Sequence, residues 1–116
     1  TLHSMTTNIP IDLISDVRMD LTNRYIKLNQ ETDDIYSDIE KTLLYYFSKK
    51  RYSLRMTLAS FKITNYIDDG QHYYYTFNLT LTNGHRYYLL KIQCVIDQVF
   101  VVNCGIVIHI IDVTIN

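Results

Sequence analysis

Apolar and polar residues alternate strictly from His72 to Thr82, which is the pattern of a half-buried β-strand. Asn83 and Gly84 follow directly, and this pair favours a two-residue hairpin because a type I′ turn needs positive φ at both central positions. Such a turn would pair Thr82 with His85 and would bring the apolar residues of both strands onto one face. We therefore predict a β-hairpin centred on Asn83 and Gly84.

The segment before this hairpin predicts a further strand, since Phe61 and Ile63 alternate with polar neighbours. Its connection is predicted to be the three-residue loop 68–70, which ends in a glycine suited to the left-handed conformation. An odd loop length pairs Ile63 with Tyr75 and keeps both on the core face, whereas an even one would turn Ile63 to solvent.

A third hairpin is predicted from the apolar stretch between Leu90 and Ile108. Keeping its apolar residues on one face requires an odd loop, which we place at residues 97–99. Cys94 and Cys104 would then face inward as diagonal neighbours about 7–8 Å apart. That distance favours free thiols, although a loop two residues longer would place the sulfurs opposite each other and allow a disulfide.

A three- to four-residue apolar period predicts two helices before the strands. The first begins at Pro10 and continues to about Leu28, and Thr32 can cap the second. The fold class predicted is α+β, with two N-terminal helices packed on one face of a four-stranded antiparallel meander. Residues 1–116 form a single domain in this prediction, with residues 1–8 frayed; the chain could also be a fragment of a longer protein.

The predicted order of elements resembles the cystatin-like and NTF2-like groups of small α+β folds, and the resemblance covers most of the chain. Cystatin-type inhibitors carry a Gln-x-Val-x-Gly hairpin and a Pro-Trp pair. Residues 98–102 read Gln-Val-Phe-Val-Val without that glycine, and the chain has no tryptophan, so an inhibitor of this type is not expected. NTF2-like folds include enzymes, ligand pockets and assembly modules, so the resemblance implies a shape and no single function.

Charge and composition narrow the range of partners. With 12 acidic and 11 basic residues, the net charge of -1 provides no general basic field for nucleic acid. No stretch has the roughly 20 apolar residues of a membrane span, while an anchor upstream of Thr1 stays open. Abundant Ile, Asn and Tyr beside a single Ala suggest an AT-rich source genome, such as that of a low-GC bacterium, a large DNA virus or a parasite.

Candidate catalytic and metal-binding groups do not converge in the sequence. In the predicted register His109 lies opposite Tyr87, and no carboxylate is placed to orient that pair. Asp12, Asp16 and Asp20 recur every four residues on the first helix and are interpreted as a solvated face. We therefore predict no catalytic residues, no metal ligands and no cofactor, and we expect a domain that is not an enzyme.

Two alternatives remain open. A pocket between helices and sheet, of NTF2-like type, could bind a small molecule or act as an enzyme, with hydroxyls from Tyr73, Tyr75 and Tyr88. Basic residues beside tyrosines could instead contact a nucleic acid or another anion. The candidate contacts are Lys49, Lys50, Arg51 and Arg55.

The sheet face away from the helices is more apolar than a solvated face should be. The last strand also ends the meander, so one edge lacks a partner, and its apolar phase changes between Ile110 and Ile111. We therefore predict a non-catalytic interaction or assembly module that forms a homo-oligomer or binds a partner protein, although residues 1–8 could cover the edge instead. The predicted interaction surface consists of Tyr74, Tyr87, Leu89, Val95, Val101, Val107, His109, Val113 and Ile115.

Overall fold

The computed structural model describes residues 8–116, which form two helices and one antiparallel sheet. The helices are α1 (Ile11–Leu21) and α2 (Ile35–Ser48). The strands are β1 (Tyr25–Lys27), β2 (Arg51–Tyr52), β3 (Met56–Asp68), β4 (Tyr73–Thr82), β5 (Tyr87–Val101) and β6 (Gly105–Ile115). The strand order is β1-β6-β5-β4-β3-β2, and the sheet curls into a half-barrel. The α+β class is thus confirmed, but the predicted four strands are six, because β1 and β2 are too short to show a period.

One buried apolar cluster lies between the helices and the inner face of the sheet. Leu13, Val17 and Leu21 of α1 enter it with no exposed surface. Phe47 of α2 packs its ring 5.6 Å from that of Phe77 on β4, measured between centroids. These contacts place both helices over the concave side of the sheet.

Helix α1 ends at Leu21, seven residues before the predicted end at Leu28. Thr22 is extended and Asn23 adopts a left-handed φ of 61°, so the backbone turns out of the helix there. Tyr25–Lys27 then pairs with β6 as an edge strand. Leu28 fits the helical period of the sequence and is buried as that period predicts. It follows strand β1, however, and is not part of a helix.

The edge of β6 therefore has a partner within the chain, contrary to the sequence prediction. Beyond the three residue pairs of β1, the Leu28 amide donates to the Ile106 carbonyl at 3.0 Å and the Ile110 amide to the Arg24 carbonyl at 2.8 Å. Backbone from Arg24 to Leu28 thus covers the edge between Ile106 and Ile110. The sequence left open that residues 1–8 cover this edge; residues 1–7 lie outside the described residues.

The hairpin between β4 and β5 is closed by four residues, because Thr82 pairs with Tyr87. Of the two predicted turn residues only Gly84 has a positive φ, at 93°, so a type I′ turn is excluded. The Asn83 carboxamide oxygen accepts a hydrogen bond from the Arg86 amide at 3.0 Å and stabilises the wider turn. The predicted two-residue loop and the observed four-residue loop both have an even length, so apolar residues of β4 still pair with apolar residues of β5. The register is displaced by two residues from the predicted one.

The hairpin between β3 and β4 also has a four-residue loop, since Asp68 pairs with Tyr73. The predicted odd loop is therefore wrong. A β-bulge at Thr64 restores the parity, and Ile63 pairs with Phe77 on the inner face.

The third predicted loop is wrong in position. Residues 97–99 lie inside β5, and the turn occupies residues 102–104. Asn103 and Gly105 adopt left-handed φ angles of 69° and 84° and make the reversal possible.

This shift separates the two cysteines. Cys104 lies exposed in the turn, whereas Cys94 is buried and pairs with Val113. They are not diagonal neighbours, and both thiols are free.

The change of apolar phase in β6 has a local cause. A register shift lets Ile110 and Asp112 pair with consecutive residues of β5, which leaves Ile111 as a bulge. Val113 and Ile115 consequently pack against the core on the same side as Ile110, so the prediction that they face the opposite way is wrong.

Candidate functional site

The densest polar cluster surrounds Asp20 on α1. Its carboxylate accepts hydrogen bonds from the hydroxyls of Tyr46 and Tyr52, each at 2.8 Å, and from the Lys50 ammonium at 3.0 Å. Arg24 adds an ion pair at 3.2 Å. Burial raises the pKa of Asp20, but the bonds from Tyr52, Tyr46 and Lys50 outweigh it and hold the pKa below its ordinary value. One carboxylate thus joins α1 to the end of α2 and to β2.

Asp16, one turn earlier, anchors the chain after β2. Its carboxylate accepts from the Ser53 amide at 2.7 Å and from the Ser53 hydroxyl at 3.0 Å. Burial and the hydrogen bond to Asp20 raise the pKa of Tyr52, which keeps that phenol protonated. The predicted solvated acidic face is therefore wrong for Asp16 and Asp20, while Asp12 is exposed as expected.

The basic residues predicted as anion contacts lie in two places. The Lys49 ammonium is 4.7 Å from the centroid of the Tyr45 ring, and Lys50 lies over Tyr46 while it binds Asp20. A cavity of about 450 Å³ is lined by Ile26, Lys27, Asn29, Thr42, Tyr45, Tyr46, Lys49 and Lys50. Arg51 and Arg55 are exposed and do not line it. Anion binding by this group stays a prediction.

The tyrosines proposed for an internal pocket differ in exposure. Tyr75 is buried, and its hydroxyl donates to the Tyr36 carbonyl at 3.1 Å. Tyr73 is half-buried and donates to the Gln98 carboxamide at 3.0 Å, and Tyr88 is buried. Of these hydroxyls, those of Tyr73 and Tyr75 therefore hold the domain's own elements together.

His109 has neighbours that the predicted register did not give it. Its ring stacks on Tyr25 with centroids 3.9 Å apart, and its cross-strand partner is Asp97 rather than Tyr87. Asp97 in turn contacts the His72 ring. A carboxylate thus lies beside the histidines after all, but the His, Cys, Asp and Glu side chains of residues 8–116 form no group of three that could hold a metal ion.

The structure divides the predicted interaction surface among three places. The outer sheet face carries Tyr74, Tyr87, Leu89, Val95 and His109, but the predicted pairing of Tyr87 with His109 is wrong. Tyr87 pairs with Thr82, and Val95 lies between Tyr74 and Asp112. Val101 and Val107 lie on the β5–β6 hairpin, whereas Val113 and Ile115 pack against the core.

The end of the β5–β6 hairpin, residues 98–108, is termed the hairpin tip below. Strand β4 begins at Tyr73, opposite Ile96, so the tip extends past that neighbour. Phe100 and Val102 are each 78% exposed. Sequence reasoning missed both because it placed them inside a strand facing the core, although Asn103 and Gly105 carried the turn signal.

Both faces of the hairpin tip are apolar. Val99 pairs with Val107 on the outer face, and Phe100 pairs with Ile106 on the inner face. The tip contains no Asp, Glu, Lys, Arg or His. Apart from the exposed Cys104 thiol, the tip therefore presents no side chain that can transfer a proton, and its surface is mainly apolar.

Neither helix in the described part of the chain has the length and apolar character needed to cross a membrane. Comparison with models of known protein families, with curated proteins and with solved structures found no match.

Proposed function

We propose that this domain is a non-catalytic assembly module that associates with a second copy of itself through the hairpin tip. The observation that carries the proposal is the exposure of Phe100 and Val102, each 78%, at the end of the apolar hairpin tip. A ribbon apolar on both faces loses water-exposed surface only when something covers it. Each fully covered Phe or Val side chain would contribute about 1.5–3 kcal/mol of hydrophobic free energy.

Two features favour a second copy as the covering chain. The tip carries no charge, so two identical tips meet without like-charge repulsion. The same patch on both subunits can pack about a two-fold axis, which is the commonest arrangement in homo-oligomers. On the outer sheet face, Tyr74 and Val95 form the apolar pair nearest the tip, from which the pair of Asp97 and His109 separates them.

This proposal does not use the backbone edge of β6, which the sequence had predicted as a site of partner binding. Between Ile106 and Ile110 the backbone already bonds to residues 24–28, so an incoming strand would have to displace them. Side chains of the tip, rather than backbone of β6, therefore make the proposed contact.

The test is the concentration dependence of solution mass, measured by light scattering for the parent and for Phe100→Ser and Val102→Ser. We expect the parent to associate and both variants to be monomeric at the same concentration. Met19→Ser is the matched control, since Met19 is 79% exposed on α1, far from the tip in sequence. A monomeric parent at every concentration, or equal association of all four proteins, would overturn the proposal.

A further inference from the structure

Strand β3 has an open edge at the end of the sheet opposite β1. Strand β2 pairs only with Met56 and Thr57. From Leu58 to Asp68, the side of β3 away from β4 has no strand partner among residues 8–116. An edge of this kind presents unpaired backbone N–H and C=O groups, which can bond to an added strand.

A groove opens beside this edge, between β3 and the first turns of α2. Its volume is about 570 Å³. It is lined by Asp34, Tyr36, Ser37, Glu40, Ile63, Thr64, Asn65, Tyr66 and Tyr75. Bulges at Ala59 and Thr64 interrupt this edge, and the pairing of β3 with β4 is regular from Asn65 to Asp68. An added strand would therefore pair with these four residues, of which Asn65 and Tyr66 line the groove.

Three tyrosine rings form a row in this groove. Tyr66 lies between Tyr36 and Tyr75, with centroids 4.9 Å from the first and 5.6 Å from the second. Tyr75 is buried, while Tyr66 is 48% exposed, so the row runs from the core to the open edge. The hydroxyl of Tyr36 donates to Asp68 at 2.9 Å, which fixes its ring beside β3.

The charge around these rings is negative. Asp34 and Glu40 line the groove, and Asp68 lies at its end. Within residues 8–116, none of the three carboxylates forms an ion pair with a Lys, Arg or His side chain. The face of an aromatic ring also attracts a cation, and the attraction strengthens when the cation leaves water. Because both faces of Tyr66 are covered by the stacked rings of Tyr36 and Tyr75, Tyr36 is the ring of this row that could take that role. The Tyr36 ring and the carboxylates favour the same class of ligand.

We propose that an extended, Lys- or Arg-bearing segment of a partner protein adds to the free edge of β3 and places a cationic side chain against the Tyr36 ring. Asp34 and Glu40 would supply the opposite charge, and the backbone of β3 would supply the hydrogen bonds. This site is separate from the hairpin tip, and its partner is a different protein rather than a second copy.

The experiment uses a six-residue peptide of alternating Val and Lys, blocked at both ends, and a control peptide with Gln at each Lys position. Both are titrated into the isotope-labelled domain carrying Phe100→Ser, so that association through the hairpin tip does not interfere. We expect chemical-shift changes at residues 65–68, slower amide exchange along that edge, and binding of the control about tenfold weaker.

Two variants test the charge. Asp34→Asn with Glu40→Gln removes both carboxylates and keeps the helix cap, because Asn is as good an N-cap as Asp. Binding of the Lys peptide should weaken about tenfold, whereas Glu31→Gln, which alters an exposed acid outside the groove, should leave it unchanged.

Several outcomes would overturn the proposal. Equal binding of the Lys and Gln peptides would remove the cationic requirement. Binding without added amide protection on β3 would mean cation binding alone and no added strand. Edge amides already protected in the free Phe100→Ser variant would mean that another part of the chain or a second copy covers β3.

Discussion

The cluster around Asp20 and the hairpin tip use polar and apolar side chains in opposite ways. At Asp20 a charged group is largely withdrawn from solvent and bound by residues from α2, from β2 and from the segment after α1. At the tip, Phe100 and Val102 lie in solvent and contact little of the domain. The charge of Asp20 thus stabilises the fold, whereas the side chains of Phe100 and Val102 are exposed and available for contact with another molecule.

The comparison leads to separate expectations for stability and for association. Changes at Asp20 should lower the free energy of unfolding and leave the contact surface intact. Changes at the hairpin tip should weaken association and leave the free energy of unfolding nearly unchanged.

The largest expected effect is that of Asp20→Ala. It removes the acceptor for the buried phenol of Tyr52, the half-buried phenol of Tyr46 and an ammonium, so we expect the free energy of unfolding to fall by about 3 kcal/mol. Denaturant unfolding measures this, with Asp12→Ala as the control on the same helix. Because Asp12 is exposed, its replacement should cost less than about 1 kcal/mol. Equal losses would show that the Asp20 cluster does not join the elements as described.

Acid should weaken the same cluster. Since the pKa of Asp20 is lower in the folded protein than its ordinary value of 3.8, the carboxylate stabilises the fold above that pH. This contribution is lost progressively as pH falls below about 4, through the folded pKa. The stability difference between the parent and Asp20→Asn should therefore shrink on acidification, which denaturant unfolding at pH 6 and at about pH 3 would measure. A difference that stays constant would contradict the assignment.

Phe100→Ser should have little effect on folding. A side chain 78% exposed loses few contacts on truncation, so we expect the free energy of unfolding to change by less than about 0.5 kcal/mol under monomeric conditions. A loss above about 2 kcal/mol would mean that Phe100 belongs to the core, as the sequence had predicted.

The smallest effect on stability is expected from alkylation of Cys104. Its thiol lies in the exposed turn and should react with iodoacetamide in the native protein. Burial raises the pKa of the Cys94 thiol to about 12, so that residue should react only after unfolding. Mass spectrometry should show one added group before denaturation and two after it. Two groups on the native protein, or none, would contradict the position of the last turn.

The strands and the face to which each side chain points were largely predictable from the sequence. Side chains alternate with a period of two, so an error of two residues in the register leaves each side chain on the same face. Leu79 and Leu90 face the core and each other although the turn between them is wider than predicted. Bulges at Thr64 and Ile111 were not predictable from the pattern, since each adds one residue without a distinctive side chain. The turn at Asn103 was misplaced because apolar residues on both sides of it continue the strand pattern.

The polar cluster lay beyond sequence reasoning for a different reason. Tyr46 and Tyr52 are 26 and 32 positions from Asp20, so no local spacing brings them together. The hairpin tip was only partly predicted: Val101 and Val107 were on the expected surface, whereas Phe100 was assigned to the core.

The pairing of β1 with β6 has a consequence for how the chain reaches its fold. Asn23 and His109, which meet where these strands pair, are 86 residues apart, so this contact closes one of the longest loops in the domain. During synthesis the segment around Tyr25 would leave the ribosome long before its partner strand exists. Long-range closure of this kind slows folding, and until it occurs the apolar edge of β6 is open to pairing with other chains. The three residues of β1 would thus act mainly as a guard against aggregation, in the last step of folding rather than in the first.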